Sequence, residues 1–285
     1  MPATPILESL WKANFAALAP YWPGVFNELG ATAVVLPLVG PDGSTGGIAL
    51  PNASNFRTVR SSASGDALAF TWQGTDGGPS NWTNGNDYTN PNRWQGIVPI
   101  VNFDGVNDEA DTPDYSYWSR PAGAFSLGAW VRMTDATSST ILSKFNSGSD
   151  RREWVFHLTS GDDLQLILYD ESVSGNPTID TVTDTAISEN AWVFLVGTHD
   201  GSANATGINL YVNGEAAAST DTDDSNFVAT EDLDHPVELG FSNGTNFFDG
   251  DMAGGPLGPF FTTVALTGPQ VKNLYFLGRP ALGLV

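Results

Sequence analysis

From about residue 100 onward the chain runs in short segments where apolar residues alternate with polar or small ones, each closed by Gly, Asn or Asp. A period of two marks strands with one buried face. IVNFDG (100–105) ends on an Asp104-Gly105 turn, and FSLGAWVRM (125–133) alternates around Trp130. AWVFLVGTHDG (191–201) closes on Asp200-Gly201, and INLYVNGEAAAS (208–219) holds Asn213-Gly214 between two strand-like halves. An Asn-Gly pair in that setting predicts a hairpin, because both central residues of a type I′ turn need positive φ. A further strand is expected over 67–72, followed by a polar loop from Gly74 to Gln95.

The first residues follow a different rule. Ile6, Leu7, Leu10, Trp11, Phe15 and Leu18 recur at helical spacing, Thr4 is placed to cap, Pro5 fits the first helical position, and Pro20 and Pro23 end the run. The pattern predicts a helix over 5–19 and no other. Tyr21, Trp22 and Phe26 extend its apolar surface, so residues 1–40 read as an arm that packs either on its own domain or on another subunit. Residues 41–66, rich in Gly, Ser, Pro and Asn, read as an extended linker, and that spacing favours the intermolecular role. Residues 67–285 remain for one all-β domain.

The formal net charge is −21, from 23 Asp and 9 Glu against 3 Lys and 8 Arg. Such a chain repels nucleic acid and anionic membranes, so neither is expected as a partner. The excess of Asp fits two readings, adaptation to high salt and the ordinary use of Asp in β-turns. With no cysteine there is no disulfide and no thiolate chemistry. The longest early apolar run, ATAVVLPLVG (31–40), is too short to span a bilayer. The N-terminus lacks a basic start and carries Glu8, so it does not read as a secretory signal.

The ordered series FDGVND, FSLGAWVRM, TILSKFN, REWVFHLTSGDDLQLILYD, AWVFLVGTHDG, LYVNGE, VELGFSN, FFDGDM and VALTGPQVKNLY, over residues 95–278, resembles the laminin-G-like or concanavalin-A-like lectin/glucanase family. The resemblance implies an antiparallel two-sheet jelly-roll sandwich, here with an N-terminal helical arm. Phe248, Gly250 and Met252 fit the family's late F-x-G-x-aliphatic step, whereas Ala253 and Gly254 stand where an acidic pair is usual.

Three chemistries can be read on that frame. Calcium needs clustered oxygen ligands, and Asp104 with Asp108 and Asp249 with Asp251 lie in turns suited to supply them; Asp221, Asp223 and Asp224 read as a solvated turn. Glycan binding needs exposed rings, and Trp82, Tyr88, Trp94, Tyr115, Tyr117 and Trp118 lie in polar surroundings, while Trp130, Trp154 and Trp192 lie in strand patterns that predict a core. Glu109, Asp111 and Asp114 spell E-x-D-x-x-D, close to the E-x-D-x-x-E of some sandwich glucanases, but with a shorter last acid and Pro113 between the acids. His157, His199 and His235 have no serine partner for a triad.

The expected role is a non-enzymatic surface protein, a decoration or fibre subunit on a virion, docked to other particle proteins through its arm and associating with itself, with a trimer as the guess. A carbohydrate-binding module, either free or as the host-recognition tip of such a particle, and a glycoside hydrolase are the alternatives; the location expected is the virion surface, with a secreted, extracellular protein as the alternative.

Overall fold

The computed structural model describes residues 33–35, 71–73, 94–95, 98–112, 114–254 and 257–284. The helix expected over 5–19, the arm residues Ile6, Leu7, Leu10, Trp11, Phe15, Leu18, Tyr21, Trp22 and Phe26, the linker 41–66, and Trp82 and Tyr88 lie outside the described residues.

Along the chain the strands are β1 (Ala33–Val35), β2 (Thr71–Gln73), β3 (Trp94–Gln95), β4 (Val98–Asp104), β5 (Glu109–Thr112), β6 (Phe125–Asp135), β7 (Thr140–Asn146), β8 (Arg151–Leu158) and β9 (Leu164–Tyr169). They continue as β10 (Thr178–Thr183), β11 (Val193–His199), β12 (Ile208–Val212), β13 (Glu215–Ala216), β14 (Ser219–Asp223), β15 (Val237–Leu239), β16 (Asp249–Ala253) and β17 (Phe260–Thr262). Among the described residues they form two antiparallel sheets. The first runs β13-β12-β11-β6-β16-β4-β3, with β17 pairing the early half of β6 and β1 pairing β17; the second runs β14-β10-β9-β8-β7-β15-β5-β2.

The alternation seen in the sequence explains the main core. Leu127, Ala129, Val131 and Met133 of β6 and Leu195 of β11 face Leu142, Trp154, Phe156, Leu166 and Leu168 of the second sheet, all essentially without solvent contact. Burial of each of the Leu, Val, Met and Phe side chains contributes about 1.5–3 kcal/mol, which makes this the main source of stability.

The residues between those positions do not face water as one-sided alternation predicts. Trp130, Phe194, Val196 and Phe260 form a second apolar cluster on the outer face of the first sheet, together with Val271, Leu274, Ala281 and Leu282. The cover is α1 (Gly268–Gly278), a helix the sequence reading missed. Its signal was local: Pro269 in the first turn, Gln270 Oε1 accepting the Thr267 N–H at 2.7 Å, and Val271, Leu274 and Gly278 on one stripe. Eleven residues with a thin apolar stripe are marginal alone and persist by packing on the sheet.

Turn chemistry follows the sequence closely. Asn213 and Gly214 both take positive φ, +52° and +81°, and the ladder resumes at Val212 opposite Glu215. Gly250, at φ +140°, marks a register shift where β16 meets β6.

Candidate functional site

The connection from Thr183 to Val193 carries β10 of one sheet to β11 of the other. It is clipped twice to the sandwich end: the Ile187 N–H donates to Asp162 O and the Asn190 N–H to Met133 O, each at 2.8 Å. Ile187 is sunk into the core. Held this way, the connection forms one wall of a groove of about 400 Å³. Thr183, Ser188, Trp192, Val212, Asn213 and Ala217 are among the residues that line it.

Trp192 is half-buried, not part of a sealed core as its strand context predicted. The Arg132 guanidinium lies 5.4 Å from its ring centroid and is held there by Asp251, whose Oδ2 accepts from Nε at 2.9 Å and from an Nη at 2.5 Å. The indole Nε1 makes no hydrogen bond among the described residues. A rigid ring, small apolar side chains and a few hydroxyl and amide groups can take a sugar by its CH face while the polar groups meet its hydroxyls.

On the other side of the same connection stands an acidic rim. Strand register places Asp104 opposite Asp249 and Asp249 opposite Asp135, so three carboxylates stand side by side across β4, β16 and β6. Glu189 and Asp162 join them, and the carboxylates of Asp135, Asp162 and Glu189 converge within 4.8 Å of one another. Burial pushes the Asp249 carboxyl up and the negative charges of Asp135, Asp104 and Glu189 push it further, against the pull of the Thr134 hydroxyl bond. Asp135 is held low by hydrogen bonds from Thr137.

This arrangement regroups the carboxylates expected to bind calcium. Asp108 is buried and its Oδ2 accepts the Asp104 N–H at 2.9 Å, so it serves the turn. Asp251 is committed to Arg132 and to the Asn102 amide at 3.0 Å. Asp104 and Asp249 do share one rim, but with Asp135, Asp162 and Glu189, which the sequence reading did not include because their proximity arises from long-range pairing. Calcium takes about six to eight oxygens, and three convergent carboxylates do not make a full cage for it. Asp221 and Asp223 lie on the edge strand β14, not in the turn expected there: Asp221 accepts from Thr181, Asp223 from the Ala205 N–H, and Asp224, just beyond the strand, from Asn226.

The aromatic candidates scatter. Trp118 is 1 % exposed and is a core residue, not a surface platform: its ring meets Tyr117 and Phe261 edge-on at 5.3 Å each. Tyr117 is part-buried, its hydroxyl donating to Phe261 O at 3.1 Å, and burial pushes its phenol strongly up. Tyr115 packs, partly buried, on the same core. The backbone of Trp94 lies in β3, which pairs with β4 at the far end of the first sheet.

Of the three acids in the glucanase-like motif, Glu109 and Asp111 sit on β5 between β2 and β15. Burial raises the Glu109 carboxyl, with Glu238 and Asp111 adding to the effect. Asp114 is elsewhere, paired with Lys144. His157 and His199 are both kept below the ordinary imidazole range by burial, and His235 contacts Glu238 at 3.2 Å.

Two antiparallel sheets packed face to face define the class as a β-sandwich. A profile of the concanavalin A-like lectin/glucanases superfamily matches residues 103–254, and the chain belongs to that superfamily. Among solved structures, it is similar to domain 4 of a GH43 extracellular arabinanase from Geobacillus stearothermophilus, in complex with arabinotriose (TM-score 0.46, 19% identity, covering 62% of this chain and 81% of that one). It is also similar to the CBM40 of a Ruminococcus gnavus IT-sialidase (0.43, 14%, covering 62% and 97%). A third is the receptor binding domain of a botulinum neurotoxin mosaic serotype C/D (0.43, 16%, covering 63%), of which the chain spans 45%. No curated protein matches significantly. No helix among the described residues is long and apolar enough to cross a membrane.

Proposed function

We propose that the sandwich is a non-catalytic carbohydrate-binding domain and that the groove beside Trp192 is its glycan site. The observation that carries this reading is a half-buried indole, oriented by Arg132, on the wall of a groove whose lining also includes Thr183, Ser188 and Asn213. Binding is favoured over hydrolysis because the E-x-D-x-x-D set is not gathered on one strand: Glu109 and Asp111 lie on β5, whereas Asp114 follows it, ion-paired with Lys144 at 3.0 Å.

The test is a glycan array probed with the full chain, followed by calorimetry on the best ligand. Trp192→Ala should weaken binding at least about tenfold, or 1.4 kcal/mol, while Glu109→Gln leaves it unchanged. Equal affinity of the Trp192→Ala protein, or no glycan bound at all, overturns the assignment. Turnover of the ligand that Glu109→Gln abolishes would establish a hydrolase instead.

In the intact chain this domain would be displayed on a surface, a virion for example, by the apolar residues between Ile6 and Phe26. Light scattering tests that part: full-length protein should assemble, and protein lacking residues 1–30, which keeps β1 against β17, should be a folded monomer.

A further inference from the structure

The chain has three lysines, and one of them is enclosed. The Lys144 side chain on β7 has no solvent exposure, nor has that of Glu153 on β8, while Asp114, in the segment after β5, is 26% exposed. Lys144 Nζ lies 2.6 Å from Glu153 Oε1 and 3.0 Å from Asp114 Oδ1, and also donates to the Leu233 carbonyl. Glu153 Oε1 accepts from Ser119 Oγ at 3.1 Å and from the Leu233 N–H at 2.9 Å. Its other oxygen, Oε2, is buried with no hydrogen bond among the described residues. The indole of Trp154 closes the site by donating to the Trp118 carbonyl, next to Ser119, at 3.2 Å.

Enclosing one ammonium with two carboxylates carries a desolvation cost of several kcal/mol per ion, and glycan binding at the opposite rim gives no reason for it. The arrangement does hold a nitrogen nucleophile against a carboxyl group, with a second carboxyl placed to move protons. Reacting groups held at about 3–3.5 Å gain the advantage of an intramolecular reaction.

We infer that Lys144 and Asp114 join in an intramolecular isopeptide bond, with Glu153 as the proton carrier. The ammonium gives a proton to Glu153, the free amine attacks Asp114 Cγ, and Glu153 returns that proton to a carboxyl oxygen. A second proton leaves the nitrogen by the same route, the C–O bond breaks and water departs. One ammonium and one carboxylate become one neutral amide and one water, with no oxidant or co-reactant. Burial pushes the Glu153 carboxyl up, even against the pull of Lys144, which suits a group that must hold a proton in passing. The product replaces two enclosed charges and ties the segment after β5 to β7 covalently, in a chain with no cysteine to do so otherwise.

Intact mass spectrometry of the denatured full-length wild type tests this without reliance on any variant. The expected mass is the sequence mass less one water, with tandem spectra of a digest showing a branched peptide joining Lys144 to Asp114. A full sequence mass overturns the inference, and so does a lost water traced to a succinimide at an Asp-Gly site such as Asp104-Gly105. Asp114→Asn should form the same amide with loss of ammonia, so its final mass should equal that of the wild type; a residual difference counts against the bond. Glu153→Gln, checked for folding by circular dichroism, should keep its full mass, and a branched peptide in that variant overturns the role given to Glu153.

Discussion

The indole of Trp130 stacks on the ring of Tyr275, with centroids 5.4 Å apart and planes inclined by 18°. One residue is on the central strand of the first sheet and the other on α1, so this contact fastens the helix to the sheet. Gly278 completes the fit: a Cβ there would stand 2.5 Å from Trp130 Nε1. On an exposed helix Gly→Ala stabilises by about 1 kcal/mol. Here Gly278→Ala should do the reverse, by roughly 1–3 kcal/mol, since Trp130 has no exposed side on which to retreat. A thermal melt that rises in the Gly278→Ala protein would refute the contact.

Gly214 is constrained twice. Its φ of +81° belongs to the hairpin turn, and a Cβ would also fall 2.9 Å from Tyr275 Cβ and 3.1 Å from Lys272 Cα. Gly214→Ala should therefore cost more than turn strain alone, roughly 2–4 kcal/mol. Pairing the change with Tyr275→Gly, which removes the Cβ in the way, should cost less than the sum of the two single changes; strict additivity in urea unfolding would show that the helix is not in contact.

Asp170 serves the loop that covers the end of β9. Oδ1 accepts the Ser172 and Val173 N–H groups at 3.1 and 3.2 Å, and Oδ2 accepts those of Val228 and Ala229 at 2.9 and 3.3 Å. Burial alone would raise this carboxyl, but the bonds from Val228, Ser172 and Ala229 hold it below the ordinary range. A folded-state value below the unfolded one means stability present at neutral pH and lost as pH falls through the folded value, from about pH 4 downward. Asp170→Ala should cost roughly 2–4 kcal/mol at pH 7. In urea titrations the deficit should shrink below pH 4; a deficit independent of pH would mean that packing, not the carboxylate, was lost.

Asp249 has the opposite sign. Burial and then its like-charged neighbours lift its carboxyl, so the folded state takes up a proton before the unfolded state does and gains stability as pH falls through the folded value. Asp249→Asn should melt higher than wild type at pH 7, with the advantage fading as pH falls and the folded state takes up its proton before the unfolded state does. A lower melting point at pH 7 would show that the charge is needed there, and a cation shared with Asp104 and Asp135 would be the first explanation to examine.

The sequence by itself determined the sandwich. Period-two alternation around Leu127, Ala129 and Val131, the Asn213-Gly214 turn and the Phe248-Gly250-Met252 step are local requirements of pleat and backbone sign, and each stands where the pattern put it. The pattern did not reveal whether the second face of a strand meets water or another layer. Trp130 reads as core in either case, yet only α1 explains why its neighbours Phe194 and Val196 are covered as well. Trp118 and Trp192 exchanged their expected places, one sealed against Phe261 and the other bordering a groove, because enclosure depends on loops distant in sequence. The same holds for the acid rim around Asp249 and for Lys144 between Asp114 and Glu153. Sequence fixes which groups are present, but the pairing of remote strands decides which of them stand within reach of one another.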